Sequence, residues 1–367
     1  MDFAEILREH WPRYVEKASG PIPSRAWAAV EAVLSCRTER RGGHVHHCAR
    51  CERHYYLYHS CNHRACPRCG AREQQEWTRR QDARLLPVPY YLLTVTVPQE
   101  LRGAFLRYPA EMHPVFFAAV ASAVKTLCAK RKYLGGQAGF VAILHTWTRR
   151  MLFHPHIHVL IPAVGLSESG CELRHPRYEE YLIPKNAFAR AVRDGVKSTL
   201  KADHPEIFAQ VEAAAWSMNW VAKCQAAGRG RTALRYLAAY VKKSAFSEGR
   251  LEGYDSSGRI IMRYRDSADN KVKREALDGL ELIRRWLLHV LPKGLVRVRH
   301  YGWLSPAAHK AFLRVRFLLG LGPYRIPAPS ASEPPRCPSC NGPLTQIARI
   351  APERGPPLCR ALLKVAA

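Results

Sequence analysis

Phe153-His154-Pro155-His156-Ile157-His158-Val159-Leu160-Ile161-Pro162 is the stretch on which the architecture turns. Its histidines alternate with other residues at the period of a β-strand, where residues i and i+2 share a face. His156 and His158 therefore point the same way, with Cα atoms about 6–7 Å apart, while Ile157 and Val159 face the opposite side. Two imidazoles at that spacing can close on one divalent ion. His154 shares the face but lies about 13 Å from His158, too far for all three to hold one ion in an unbent strand.

Working outward, Phe140–Trp147 reads as a second strand, joined to the first by the basic turn Thr148-Arg149-Arg150. If that turn centres near Arg150, His145 falls opposite His156, on a strand about 4.8 Å away, and becomes a candidate third ligand. A slip of one residue would invert this. Tyr90–Val97 is a β-branched and aromatic run bounded by prolines, expected to be a strand buried on both faces. Residues 108–131 carry helical apolar spacing, and Gly135-Gly136 ends it. The order is strand, helix, strand, strand, which makes the chain α+β. Residues 186–243 and 275–290 read as mostly helical, and 321–336 as a proline- and serine-rich linker. Residues 2–34 read as two short helices split by Gly20-Pro21-Ile22-Pro23, with Ser24 as a candidate cap for the second. The expected organisation is residues 1–85 as N-terminal helices and a zinc-binding unit, 86–320 as the catalytic domain, and 321–367 as a linker and tail.

The 367 residues include 57 Lys+Arg against 30 Asp+Glu, a formal charge of +27. That excess fits a polyanion, since each phosphate neutralised releases a counterion. A hydrophobic content of 47% excludes disorder as the main state. No uninterrupted apolar run approaches the ~18 residues of a membrane span, and the N-terminus has no signal-peptide pattern. A cytosolic protein is expected, in which paired cysteines point to metal rather than disulfides.

Cys48-Ala49-Arg50-Cys51 and Cys66-Pro67-Arg68-Cys69 are two knuckles separated by 14 residues. Two thiolates from each complete a tetrahedral four-cysteine site, so one structural Zn2+ held by Cys48, Cys51, Cys66 and Cys69 is expected. Cys36, Cys61 and the histidines His44, His46, His47 and His63 lie close enough for a second metal. In the alternative, those histidines contact phosphate or simply pack. Arg50, Arg53, Arg64, Arg68 and Arg72 interleave with Tyr55, Tyr56 and Tyr58, a mixture that suits a nucleic-acid surface or a solvated basic face. Cys337-Pro338-Ser339-Cys340 is a lone third knuckle with no evident partner.

In Arg235-Tyr236-Leu237-Ala238-Ala239-Tyr240-Val241-Lys242-Lys243 the tyrosines are spaced i, i+4 and share one helix face. Such a pair often only packs. Here Arg235, Lys242 and Lys243 surround it, favouring phenolate and contacting backbone phosphate. Metal-holding histidines and nucleophilic tyrosines together form a chemically complete set for phosphodiester transfer.

From Cys36-Arg37-Thr38 and Gly42-Gly43-His44 through both knuckles, His145-Thr146-Trp147, the histidine strand, the tyrosine pair, His289–Gly294 and Val296–Gly302, the chain resembles the insertion-sequence-91-type rolling-circle transposases. These are two-tyrosine members of the HUH endonuclease superfamily with an N-terminal zinc-binding domain. The resemblance implies a palm-like antiparallel sheet covered by helices. It implies His156 and His158 as ligands of catalytic Mg2+ or Mn2+, and Tyr236 and Tyr240 as nucleophiles. The expected substrate is single-stranded DNA at element ends and target, cut through a 5′-phosphotyrosine in a cytoplasmic, nucleoid-associated setting without a membrane. A plasmid-type replication initiator, a non-catalytic zinc-ribbon nucleic-acid binder and a zinc hydrolase are the alternatives. The last is disfavoured because such sites often continue His-x-His-x-Asp-His, and Leu160 occupies the Asp position.

Overall fold

The computed structural model describes residues 1–232, 234, 244–266, 268–328 and 334–365. The fold is α+β, built on a five-stranded antiparallel sheet. Its strands lie in the order Val298–Tyr301, Phe140–Trp147, Phe153–Pro162, Tyr90–Thr96 and Val221–Ala226. Alternation gives this sheet two different faces. Leu93, Val95, Phe140, Leu144, Ile157 and Val159 are buried together against helices Pro109–Ala129 and Lys185–Asp203. Each such side chain stabilises the fold by roughly 1.5–3 kcal/mol. The even-numbered residues of Phe153–Pro162 face the other way. They carry histidines at one end and Leu160 at the other, where Leu160 joins a smaller core with Leu92, Val141 and Ile143.

Helix Pro109–Ala129 opens with a proline in its first turn, where no intrahelical amide is lost. It is long and apolar enough to cross a membrane by composition, but most of it is buried in this core. The stretch 186–243, expected to be mostly helical, contains helices at Lys185–Asp203, Pro205–Phe208 and Ala214–Ser217 and then the strand Val221–Ala226. That strand pairs along Tyr90–Thr96, with Tyr91 opposite Ala226 and Thr96 opposite Val221. Likewise, Val272–Leu277 is a strand, the third of a meander with Leu251–Tyr254 and Ile260–Arg265, and helix begins only at Gly279. Ser24 is the first residue of helix Ser24–Leu34; Pro23 holds the cap position, and no side-chain cap forms.

The N-terminal helices, the meander, helix Gly279–Leu287 and helix Leu358–Val365 share a second core around Phe3, Trp11 and Trp286. Residues of the tail thus return to the beginning of the chain. Strand Thr345–Ile350 pairs with Gly43–Cys48, which pairs with Arg53–Tyr58.

The loop Arg64–Cys69 ties these parts together. Arg64 donates to the carbonyls of Leu291, Pro292 and Leu295. Arg68 pairs with Asp2 and Glu248. The Trp286 indole and Ser244 hydroxyl both donate to the Ala65 carbonyl, at 2.8 and 2.7 Å. Arg64 and Arg68 are therefore structural and do not belong to the expected phosphate-facing set. Arg50, Arg53 and Arg72 remain exposed.

Gly302 turns the chain after the sheet's edge strand with φ +57°, and a Cβ there would meet the Ala138 carbonyl oxygen. Gly302→Ala is expected to destabilise the fold by about 2 kcal/mol or more, through strain and collision together. Urea unfolding measures this; an unchanged midpoint would contradict the placement.

Candidate metal centre and its surroundings

His145 stands directly opposite His156, while His158 lies opposite Ile143. This pairing follows from the turn between the strands, in which Met151 takes a left-handed conformation at φ 57°. The three imidazoles cluster with ring centroids 5.1 Å (His145–His156), 4.7 Å (His145–His158) and 4.9 Å (His156–His158) apart. One nitrogen from each lies within 4.8 Å of those of the other two.

Burial is the largest influence on all three rings. It pushes His156 down to about 4, His158 down to about 3, and His145 well below its ordinary value, with neighbouring positive charge adding to the effect on His145. All three are neutral at pH 7, the form that ligates. The Nδ1 of His156 is 2.7 Å from the His154 carbonyl, which can only accept, so Nδ1 carries the proton and Nε2 the lone pair. His158 Nδ1 is 2.8 Å from Thr94 Oγ1. His154 stands outside the cluster; its Nδ1 accepts from Arg102 at 3.1 Å. Three neutral nitrogen donors on one face fit a divalent cation that keeps other positions for water or phosphate oxygen.

Residues to which the sequence reading gave no role of their own surround the triad. Trp147 stacks on His145 at 5.5 Å and 22°, and the Arg297 guanidinium lies 5.5 Å over Trp147. His289 lies beneath the turn, its Nδ1 3.1 Å from Thr146 Oγ1 and its Nε2 donating to the Met151 carbonyl at 3.0 Å. Lys223 is level with Thr94 and His158 on the same sheet face. A cavity of about 870 Å³ opens there, lined by Thr94, Thr96, His156, His158, Lys223 and Thr232 among others. Lys223 escapes a reading of the sequence because nothing local marks its segment as strand rather than helix. Arg235, Tyr236, Tyr240, Lys242 and Lys243 lie outside the described residues.

The cysteines form two clusters, correcting the single expected site. Cys66 and Cys69 join Cys36 and Cys61, whereas Cys48 and Cys51 join Cys337 and Cys340. The knuckles separate because Cys48 ends a strand of the three-stranded sheet, while Cys66 and Cys69 lie on the loop anchored by Arg64 and Arg68. All eight are free thiols. In the first cluster, Cys36 and Cys69 sulfurs are 3.5 Å apart and Cys61 and Cys69 sulfurs 3.6 Å apart. Four thiolates at ~2.3 Å from one tetrahedral Zn2+ would be about 3.8 Å apart, so this cluster fits structural zinc. The nearby histidines do not join it. His44 packs on His59 and His47 on His54, while His63 Nδ1 accepts from the Ala65 amide.

Two family models match the chain. A family model described as "Transposase zinc-binding domain" matches residues 6–97, and one described as "Putative transposase" matches residues 139–311. The chain is 30% identical over a 397-residue alignment, covering 98% of each chain, to the Sinorhizobium fredii protein named "Putative transposase y4qJ". It is 28% identical over 290 residues to the Pseudomonas savastanoi pv. phaseolicola "Transposase for insertion sequence element IS801", covering 75% of this chain and 69% of the relative. No solved structure matches significantly.

Burial also pushes His113, His289 and His300 down to about 4. In the unfolded chain each takes up a proton near pH 6.5, while in the fold it stays neutral until about pH 4. The unfolded state thus binds more protons across that window, and stability falls as pH falls through it, by up to about 1.4 kcal/mol per unit for each histidine. Urea titrations between pH 7.5 and 4.5 should show this decline, with a shallower slope in His289→Gln. An identical slope in that variant would contradict the assignment.

Proposed function

The chain belongs to the insertion-sequence-91-type transposases, and we propose that it nicks and rejoins single-stranded DNA through a 5′-phosphotyrosine during rolling-circle transposition in the cytoplasm. The observation that carries this reading is the convergence of His145, His156 and His158 on one face of the sheet, beside a cavity open to a nucleic-acid strand. Thr232 lines that cavity, and Tyr236 follows it by four residues.

In this proposal Tyr236 and Tyr240 are the nucleophiles. A phenolate oxygen attacks the scissile phosphorus, the bond from phosphorus to the 3′ oxygen breaks, and the leaving oxygen takes up a proton to become a free 3′-hydroxyl. The DNA 5′ phosphate is left as a tyrosine ester, so a later 3′-hydroxyl can reverse the step and join a new strand. His145, His156 and His158 would hold a divalent cation, Mg2+ or Mn2+ in this reading, and that ion would supply electrostatic stabilisation of the phosphoryl oxygens. His156 keeps Nε2 available by donating its Nδ1 proton to the His154 carbonyl. Lys223, Arg235, Lys242 and Lys243 contact backbone phosphate, and the exposed Arg50, Arg53 and Arg72 extend that basic surface. Two nucleophiles permit successive cleavages at the two ends of an element.

Single-stranded oligonucleotides carrying an element end test the chemistry. Labelled on the 3′ side of the cut, they should yield a cation-dependent covalent adduct; labelled on the 5′ side, they should yield only a shortened free strand. The double substitution Tyr236→Phe, Tyr240→Phe should abolish the adduct, and full cleavage by that variant would remove the nucleophile assignment. His156→Ala should lower cleavage at least ~100-fold at saturating DNA. Lys223→Ala should weaken DNA binding and flatten its salt dependence by about one charge; binding equal to wild type would exclude Lys223 from the phosphate path.

A further inference from the structure

We propose that Cys48, Cys51, Cys337 and Cys340 bind a zinc ion of their own, and that this ion is the clasp fastening the knuckle and strand of residues 334–350 to strand Gly43–Cys48 of the N-terminal module. Neither matched region, residues 6–97 or 139–311, reaches Cys337. The two knuckles come from opposite ends of the chain, yet they are built alike. In each, the amide of the residue after the second cysteine donates to the first cysteine's carbonyl at 2.8 Å: Glu52 to Cys48, and Asn341 to Cys337. In each, that same residue is left-handed, Glu52 at φ 53° and Asn341 at φ 57°. A non-glycine residue is seldom found there, and two matching instances need compensation from what they position. The first cluster repeats the device, with Arg37, Asn62 and Gly70 left-handed after Cys36, Cys61 and Cys69.

The sulfurs face one another at distances suited to one tetrahedral ion. Cys48 and Cys340 are 3.6 Å apart and Cys51 and Cys337 3.9 Å apart, against about 3.8 Å for four thiolates on Zn2+. Cys48 and Cys337 are buried, and all four thiols are unoxidised. On binding, the thiols release their protons to solvent and Zn2+ takes four thiolates.

A second observation points the same way. Among the described residues, the buried cluster that holds this knuckle in place contains, apart from these cysteines, only Leu344 and the partly buried Tyr55. Strand Thr345–Ile350, which follows, pairs with Gly43–Cys48, but five of its six side chains are exposed. Strand pairing with so little apolar burial is marginal in water. A tetrathiolate zinc site supplies the missing stabilisation at this contact. Without it, residues 334–350 would undock while helix Leu358–Val365 stays in the second core, and Gly43–Cys48 would become a sheet edge.

The test is zinc stoichiometry in the full chain, independent of any DNA reaction. Native mass spectrometry should find two Zn2+ in the wild type, one in Cys337→Ser, Cys340→Ser, and one in Cys36→Ser, Cys61→Ser. Limited proteolysis should cut within residues 334–350 rapidly in the Cys337, Cys340 variant and slowly in the wild type. Titration of the metal-free wild type with Co2+ avoids dependence on variants, and its thiolate-to-cobalt absorption should grow to two equivalents. One zinc in the wild type, two retained in the Cys337, Cys340 variant, both lost from it, saturation at one Co2+, or equal proteolysis of variant and wild type would overturn the proposal.

Discussion

Everything at the candidate centre depends on the register between Phe140–Trp147 and Phe153–Pro162. With His145 opposite His156, every odd residue from Ile157 to Ile161 enters the helix-covered core, and every even residue from His154 to Leu160 faces the other way. A shift of one position would bury the histidines among Phe116, Phe188 and Val192 and expose Ile157 and Val159. The apolar face is what resists that shift. The energy that folds the sheet thereby also holds three neutral imidazoles together, although clustering them in the interior favours nothing by itself. Burial keeps them uncharged, Thr94 and the His154 carbonyl orient two of them, and Trp147 covers the third.

The rest of the molecule is organised around closure. The loop from Arg64 to Cys69 touches the N-terminal helix through Asp2, the segment before the meander through Glu248, and the stretch after helix Gly279–Leu287 through three carbonyls. A charge on that loop is therefore satisfied by its own fold. One set of arginines, Arg64 and Arg68, thus ties the zinc-binding module to the segments around the second core, and another, Arg50, Arg53 and Arg72, stays exposed. Membership of a transposase family gives that basic surface its natural partner in DNA.

How much could be read from sequence follows from which forces are local. The strands at Phe140–Trp147 and Phe153–Pro162 and the helix at Pro109–Ala129 carry their own periodicity and proline boundaries, so their positions were legible, as was the opposition of His145 and His156 across a short turn. Val221–Ala226 was not. Val-Ala-Lys-Cys-Gln-Ala suits helix or strand equally, and its pairing partner Tyr90–Thr96 decided the matter from about 130 residues away. The meander was missed although Asp255-Ser256-Ser257-Gly258 is a turn signal, because charged residues in Arg263–Arg265 and Lys273–Glu275 blur the alternation. Knuckle chemistry was visible for each Cys-x-x-Cys pair, but which knuckles meet is a tertiary fact. Nothing between Cys51 and Cys337 announces their approach across 286 positions. Arg64 and Arg68 show the same limit: composition revealed their charge and the fold supplied their partners.

The central claim is that three imidazoles on one sheet face hold the cation at which DNA is opened. Pulsed electron paramagnetic resonance of Mn2+ bound to the full chain tests it directly. The account predicts nitrogen hyperfine couplings from imidazole that diminish in each of His145→Ala, His156→Ala and His158→Ala, and phosphorus couplings that appear when single-stranded DNA is added. Bound Mn2+ without imidazole coupling, or with coupling unchanged in all three variants, would contradict it.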